Sequence, residues 1–190
     1  MTGRPGLRAR KSSGGMGPML EIEVKIRIED PKAMLARVLA LGATLTRPRF
    51  LEENTLYDFP AGTLRTARRA LRVRRSGRRT TVTFKGEPRK SRSFKVREEF
   101  ETGVGDAGQL RKILRALGLQ PAYSYRKHRT QLRKGPLAVC IDETSAGAFL
   151  ELEGKRHDIT RFARSLGFGR ADFIREDYVE LIERDKKLKG

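Results

Sequence analysis

The chain has 190 residues with one cysteine and two histidines, and 42 basic against 23 acidic residues give it a net charge of +19. That length buries a core without staples; a single Cys140 excludes an internal disulfide and a multi-cysteine zinc site, and His128 with His157 leaves little for a histidine metal site. No apolar run approaches the roughly 20 residues of a spanning helix and no signal-peptide core follows the basic start, so a soluble, reduced, cytoplasmic protein is expected.

So large a positive balance calls for an anionic partner: nucleic acid, a membrane surface or a phosphorylated small molecule. The excess is local. Residues 1–18 carry +4, residues 65–97 carry +13 and residues 126–134 carry +5, which leaves −3 for the rest. Residues 1–18 are rich in Gly, Ser, Pro and Arg without a hydrophobic period, and read as a disordered basic tail. Residues 19–190 read as one domain.

Order is expected from Leu20. Leu20, Ile22, Val24, Ile26 and Ile28 alternate with charged residues, the pattern of a half-buried strand. Asp30-Pro31 then opens a helix carrying Met34, Leu35, Val38 and Leu41, and Gly42 stops it. Further strands are expected over 53–58, 70–75, 79–85, 93–101, 125–132, 137–143 and 148–153. Asp106 caps a second helix, which Gly118 ends. A third helix runs from Asp158 to about Leu166, and a fourth carries Ile174, Tyr178, Leu181 and Ile182. Asp30…Leu41-Gly42 recurs as Asp106…Leu117-Gly118 at an offset of 76, and the same offset carries Glu23 onto Glu99. Two strand–helix–strands halves are the economical reading.

The strands have apolar faces, such as Leu71 and Val73 or Leu150 and Leu152, that the helices must cover. The opposite faces hold Glu21, Glu23 and Lys25; Arg72 and Arg74; Thr81, Thr83 and Lys85. They continue with Lys95, Arg97, Glu99 and Glu101; Lys127 and Arg129; Cys140 and Asp142; Glu151 and Glu153. Antiparallel sheets often solvate such a face. Here, however, acids pair at i, i+2 on some strands and bases pair on others. Residues i and i+2 share a face about 7 Å apart, where like charges cost energy unless a counter-ion lies near. Hard oxygen donors without His or Cys select Mg²⁺, Mn²⁺ or Ca²⁺. Carboxylates and bases around one space describe a metal–polyphosphate site.

Glu21-Ile22-Glu23-Val24-Lys25 resembles the ExExK signature of the CYTH proteins, also called triphosphate tunnel metalloenzymes. Arg72-x-Arg74, the strand end at Lys85-Gly86, Arg97-x-Glu99, Lys127-x-Arg129, Asp142 and Glu151-x-Glu153 follow in the family's order, across residues 20–153. The resemblance implies an α+β fold: a closed antiparallel barrel of about eight strands with a polar tunnel, helices packed outside and two pseudo-repeated halves. It implies Mg²⁺ or Mn²⁺ held by Glu21, Glu23, Glu151 and Glu153 with Glu99 or Asp142. It implies a triphosphate held by Lys25, Arg72, Arg74, Lys85, Lys127 and Arg129, and catalytic roles for Lys85, Lys127 and Asp142.

Ala40-Leu41-Gly42-Ala43 and Ala148-Phe149-Leu150-Glu151-Leu152 look most like the class IV adenylate cyclase branch. That branch implies conversion of ATP to cyclic AMP and pyrophosphate. Hydrolysis of thiamine, nucleoside or inorganic triphosphate would use the same cradle, and the sequence leaves the two open. A third reading is a non-enzymatic nucleic-acid-binding module. Against it, aromatics are 7% with no Trp for base stacking. The expected partner is therefore a small triphosphate and no membrane, with nucleic acid admitted by the basic surface but not favoured, and a homodimer left open.

Overall fold

The computed structural model describes residues 19–189, and the expected tail over residues 1–18 lies outside the described residues. In chain order the elements are β1 (Met19–Ile28), α1 (Pro31–Ala40), β2 (Thr44–Asp58), α2 (Thr63–Thr66), β3 (Ala70–Ser76) and β4 (Arg79–Lys85). There follow β5 (Lys95–Val104), α3 (Ala107–Ala116), β6 (Gln120–Lys134), β7 (Leu137–Thr144), β8 (Gly147–Glu153) and α4 (Arg156–Ser165). A 3-10 turn at Arg170–Asp172 leads to α5 (Tyr178–Lys189). The strands close an antiparallel barrel in the order β1-β5-β4-β3-β2-β6-β7-β8.

The internal echo is structural. β1, α1 and β2 map onto β5, α3 and β6 at an offset of 76, and exchanging the halves leaves the strand order of the barrel unchanged. Both helices begin the same way. Asp30 accepts from the amides of Lys32 and Ala33, and Asp106 from those of Gly108 and Gln109. Each such cap contributes about 1 kcal/mol. Both helices also end on a glycine with positive φ, 77° at Gly42 and 82° at Gly118, a conformation that disfavours a Cβ.

The main apolar core lies outside the barrel. Val24, Ile26, Val139, Ile141, Leu150 and Leu152 point away from the tunnel and meet Met34 and Val38 of α1 and Ile159, Phe162 and Ala163 of α4. Ile159 is fully buried there, and Ile159→Ala is expected to cost about 2–5 kcal/mol. A smaller cluster joins Leu114 of α3 to Tyr57, Leu119, Leu71 and Val73. With its outward residues covered by helices, the wall has only its polar residues left to face inward.

Several elements differ from expectation. β2 begins at Thr44, nine residues before the expected strand, and β6 runs from Gln120 to Lys134. The early part of β2 shows no alternation because its ladder with β6 is irregular between Leu45 and Phe50. Ile174 is not helical: it pairs with Lys25 along the β1 edge beyond the end of β5. α4 starts at Arg156, two residues before Asp158.

Candidate active site

The register places the charged residues opposite one another across strands. Glu21 faces Arg97, and Glu23 faces Lys95 on one side and Glu153 on the other. Lys25 faces Glu151, Lys85 faces Glu99, Glu52 faces Lys127 and Arg129 faces Asp142. Like charges at i, i+2 on one strand are therefore compensated by neighbouring strands. The counter-ions that such pairs require are thus supplied in large part by side chains of the neighbouring strands.

Two networks share the tunnel. In the first, the Lys85 ammonium lies 2.7 Å from Glu21 and 2.8 Å from Glu99. The Arg72 guanidinium is 3.8 Å from both Glu99 and Glu101, and the Thr83 hydroxyl donates to Glu101 at 2.6 Å. In the second, Asp142 is fully buried and accepts from Arg129, Lys127 at 2.9 Å and the Tyr178 hydroxyl at 2.6 Å. Glu151 lies 2.7 Å from Arg129 and 3.5 Å from Lys25, whose ammonium also donates to Glu23 at 2.8 Å. Glu52 bridges Arg74 at 3.4 Å and Lys127 at 3.6 Å, and Arg74 donates to Asn54 at 3.0 Å.

α5 closes one end. Tyr178, Leu181 and Ile182 pack with Ala146, Phe149, Tyr123 and Tyr125, and the ammonium groups of Lys25 and Lys127 lie 5.0 Å and 4.5 Å from the centre of the Tyr178 ring. Glu101 and Glu153 are exposed and mark the more open part of the lining.

The proton distribution follows from this packing. Burial and the adjacent Glu23 raise the Glu21 carboxyl to about 8, and a hydrogen bond joins it to Glu99. Burial pushes Glu99 upward too, but that hydrogen bond and Lys85 hold it below its usual value. Glu21 and Glu99 thus share one proton near neutrality. The partial desolvation of Glu153 at the tunnel mouth, with Glu151 and Glu23 beside it, raises its carboxyl. Against burial, Arg129 and Lys25 hold Glu151 well below the carboxylate range, and Arg129 and Lys127 lower Asp142. Burial and Lys25 bring Lys95 down to about 8. Cys140 is buried and free, and burial raises its thiol to about 12, which removes it as a nucleophile.

Among the described residues, the buried donors Arg72 Nε, Arg97 Nε and Asn54 Nδ2 have no hydrogen-bond partner, and neither has Glu52 Oε2. Unsatisfied buried polar groups cost about 1–3 kcal/mol each. Three donors aimed inward suit an acceptor-rich ligand.

The residues expected to form the site, Glu21, Glu23, Lys25, Arg72, Arg74, Lys85, Glu99, Lys127, Arg129, Asp142, Glu151 and Glu153, all line this barrel interior. Among the described residues, no three His, Cys, Asp or Glu side chains converge closely enough to hold an ion as they stand. Lys25 and Lys85 stand between the carboxylates instead. The donor set still fits a hard divalent cation: all its atoms are oxygens, Glu21 and Glu99 hold a proton that a cation would displace, and Glu153 is strained by Glu23 and Glu151.

Sequence reasoning gave no role to Glu52, Asn54, Lys95 or Tyr178. Glu52 and Asn54 sit in a polar run where no apolar alternation betrays the inward face. Tyr178 read only as an apolar helix position, because its partner Asp142 is 36 residues away.

The chain belongs to the CYTH domain family, whose model matches residues 19–176. Membership implies a triphosphate ligand and a divalent metal. A protein of Methanocaldococcus jannaschii, named as a candidate adenylate cyclase, is 29% identical over 174 residues, covering 86% of this chain and 98% of its own. A candidate adenylate cyclase from Vibrio parahaemolyticus shares the fold with a TM-score of 0.78 at 19% identity, over 88% of this chain and 99% of that one. A Hippeastrum protein described as a candidate adenylyl cyclase with a dominant triphosphatase activity has a TM-score of 0.64 at 18% identity, over 86% of this chain and 95% of that one.

Proposed function

We propose that the tunnel is the active site of a divalent-metal enzyme that acts on a triphosphate compound, with the cyclisation of ATP to cyclic AMP and pyrophosphate as the leading reaction. The observation that carries the reading is the set of unpartnered buried donors, Arg72 Nε, Arg97 Nε and Asn54 Nδ2, inside a ring of exchangeable ion pairs. Each charge-assisted hydrogen bond they make to a phosphate oxygen is worth about 1.5–3 kcal/mol.

In this reading Lys25, Arg72, Arg74, Lys85, Lys127 and Arg129 bind the phosphates, joined by Arg97. Glu21, Glu23, Glu99 and Glu153 would hold Mg²⁺ or Mn²⁺, with Glu151 beside them. The ion supplies charge neutralisation on the phosphate oxygens. Lys85 and Lys25, now paired with carboxylates, would turn to the phosphates when these bind, and the acids they release would be free to hold the ion. Asp142 has its oxygens taken up by Arg129, Lys127 and Tyr178, so its role is to hold those two bases in place. Lys85 and Lys127 then stabilise charge that develops on the phosphoryl oxygens.

For cyclisation, the ribose 3′ oxygen forms a bond to the α-phosphorus as the bond to the pyrophosphate leaving group breaks, and the hydroxyl proton departs. For hydrolysis, a water oxygen forms a bond to the γ-phosphorus as the bond to the β–γ bridging oxygen breaks, which gives orthophosphate and the diphosphate compound and releases a proton to solvent. Hydrolysis is kept as the second reading because the Hippeastrum structural neighbour is described as having a dominant triphosphatase activity. Incubating the chelator-stripped protein with ATP, thiamine triphosphate or tripolyphosphate, with and without Mg²⁺ or Mn²⁺, separates the readings. Cyclic AMP with pyrophosphate supports the first and orthophosphate the second. No turnover of any triphosphate overturns both.

A further inference from the structure

Counted by formal charge, with every carboxyl ionised and every base protonated, the tunnel lining is balanced. Its eight carboxyl residues, Glu21, Glu23, Glu52, Glu99, Glu101, Asp142, Glu151 and Glu153, are matched by eight bases: Lys25, Arg72, Arg74, Lys85, Lys95, Arg97, Lys127 and Arg129. The chain's whole +19 therefore lies on other residues. A triphosphate site does not account for it, and a soluble domain of this size needs a net charge of only about 2–8.

Part of that charge is gathered in one place. A groove of ≈ 840 Å³ runs between α4 and the segment before β5, and Arg92, Arg156, Arg161, Arg164 and Arg170 line it. All five are exposed. Arg161 is paired with Asp158 at 2.7 Å, and Arg156 lies over the Phe94 ring. Among the described residues, Arg92, Arg164 and Arg170 have no acidic partner. Phe94 belongs to the outer core with Phe162 and Val96, so the groove lies on the outside of the wall that carries Lys95 inward. Its rim is fixed: Arg175 donates to the Ser91 carbonyl at 2.6 Å, and the Arg89 amide donates to Val96. Ser91 accepts the Phe94 amide and keeps its own hydroxyl proton to donate.

We infer that this groove binds the phosphate backbone of a nucleic-acid duplex, independently of base sequence. Guanidinium forks and hydroxyls are the groups that contact backbone phosphates, and counterion release drives such binding without an apolar anchor. A protein partner needs a buried apolar or aromatic centre. Phe94 is 7% exposed and covered by Arg156, which leaves His157 as the exposed ring among the described residues that line the groove. The same scarcity of stacking rings disfavours single strands, which rely on base–aromatic contact. A membrane surface is disfavoured because the site is concave and none of the exposed large hydrophobic side chains lines it.

The test uses fluorescence anisotropy of a labelled duplex of about two helical turns against the full chain, between 50 and 200 mM NaCl. The triple variant R92A/R164A/R170A removes three groups without an internal partner. It is expected to bind at least ten-fold more weakly at 50 mM salt, with the slope of log K against log salt falling by about 2–3 and ATP turnover unchanged. The pair R92A/R170A carries the test if the triple variant melts early. R78A/R79A, at the exposed β3–β4 hairpin, is the control and is expected to lose less than three-fold. The inference is overturned if the duplex does not bind at low salt, if the groove variant binds as the wild type does, or if the hairpin variant loses as much. It is equally overturned if poly-glutamate of matched charge competes as well as unlabelled duplex.

Discussion

The hydroxyl of Tyr178 donates a 2.6 Å hydrogen bond to Oδ2 of Asp142, so the last helix of the chain is fastened to a carboxylate in the tunnel wall. The same oxygen accepts from Lys127 and Arg129. Tyr178→Phe keeps the ring packing on Phe149 and removes one hydrogen bond to a charged group, a loss of about 1.5–3 kcal/mol. For a domain of this size the melting temperature should fall by roughly 3–10 °C. Asp142→Asn leaves two buried cations short of a counter-charge and is expected to cost more, about 3–5 kcal/mol. Thermal melts of both variants check the order, and equal melting of Asp142→Asn and wild type would remove Asp142 as the organiser.

Glu21 gives the metal-free protein a pH dependence of definite sign. Its carboxyl is raised from 4.5 to about 8 by burial and Glu23. The folded state therefore keeps a proton that the unfolded chain has released. The stability this group contributes is complete below about 4.5, and is lost as pH rises through about 8. Glu21→Gln cannot lose that proton. In chelator, its melting temperature should rise relative to wild type between pH 5 and pH 8. Parallel curves across that range would show that Glu21 is ionised in the folded protein.

The unpartnered donors make binding and stability separable. Arg72→Ala and Arg97→Ala each remove a buried Nε that has no acceptor. Neither is expected to lower the melting temperature in the absence of ligand by more than a few degrees. Each should weaken tripolyphosphate binding by about 10–100-fold, the equivalent of one charge-assisted contact. The readout is the thermal shift produced by tripolyphosphate with Mg²⁺. A variant that unfolds while its remaining folded fraction keeps wild-type affinity would make that arginine structural.

Much of the fold was legible because the chain states it twice. Asp30 and Asp106 cap equivalent helices, and the offset of 76 that links them also links β1 with β5 and β2 with β6. The inward residues of β1, β3 and β8 were legible from strict alternation. The first half of β2 was not: Pro48 and the irregular pairing around Arg47 break the period, and partners on β6 rather than local pattern make it a strand. Glu52 and Asn54 pair regularly with β6, but they sit in a polar run whose inward face no apolar alternation marks. The basic excess was legible as a call for an anionic partner, but the sequence did not show how the bases and acids of the tunnel are matched. Which acid meets which base depends on register between strands far apart in sequence, as with Lys85 and Glu21, 64 residues apart. Only the closed barrel reveals that these charges cancel.

Glu23 and Glu153 are the carboxylates on which a metal-assisted triphosphate site in this tunnel depends. They face each other across β1 and β8, and neither substitution to Gln changes side-chain volume. The measurement is ATP turnover of Glu23→Gln and Glu153→Gln during Mn²⁺ titration, with melts in chelator beside it. We expect Glu153→Gln to melt at or above the wild-type temperature, because its own charge is repelled by Glu151 and Glu23. We expect both to lose at least 100-fold in turnover, with partial recovery at high Mn²⁺. Wild-type turnover and wild-type metal dependence in both variants would contradict a metal-assisted triphosphate site in this tunnel.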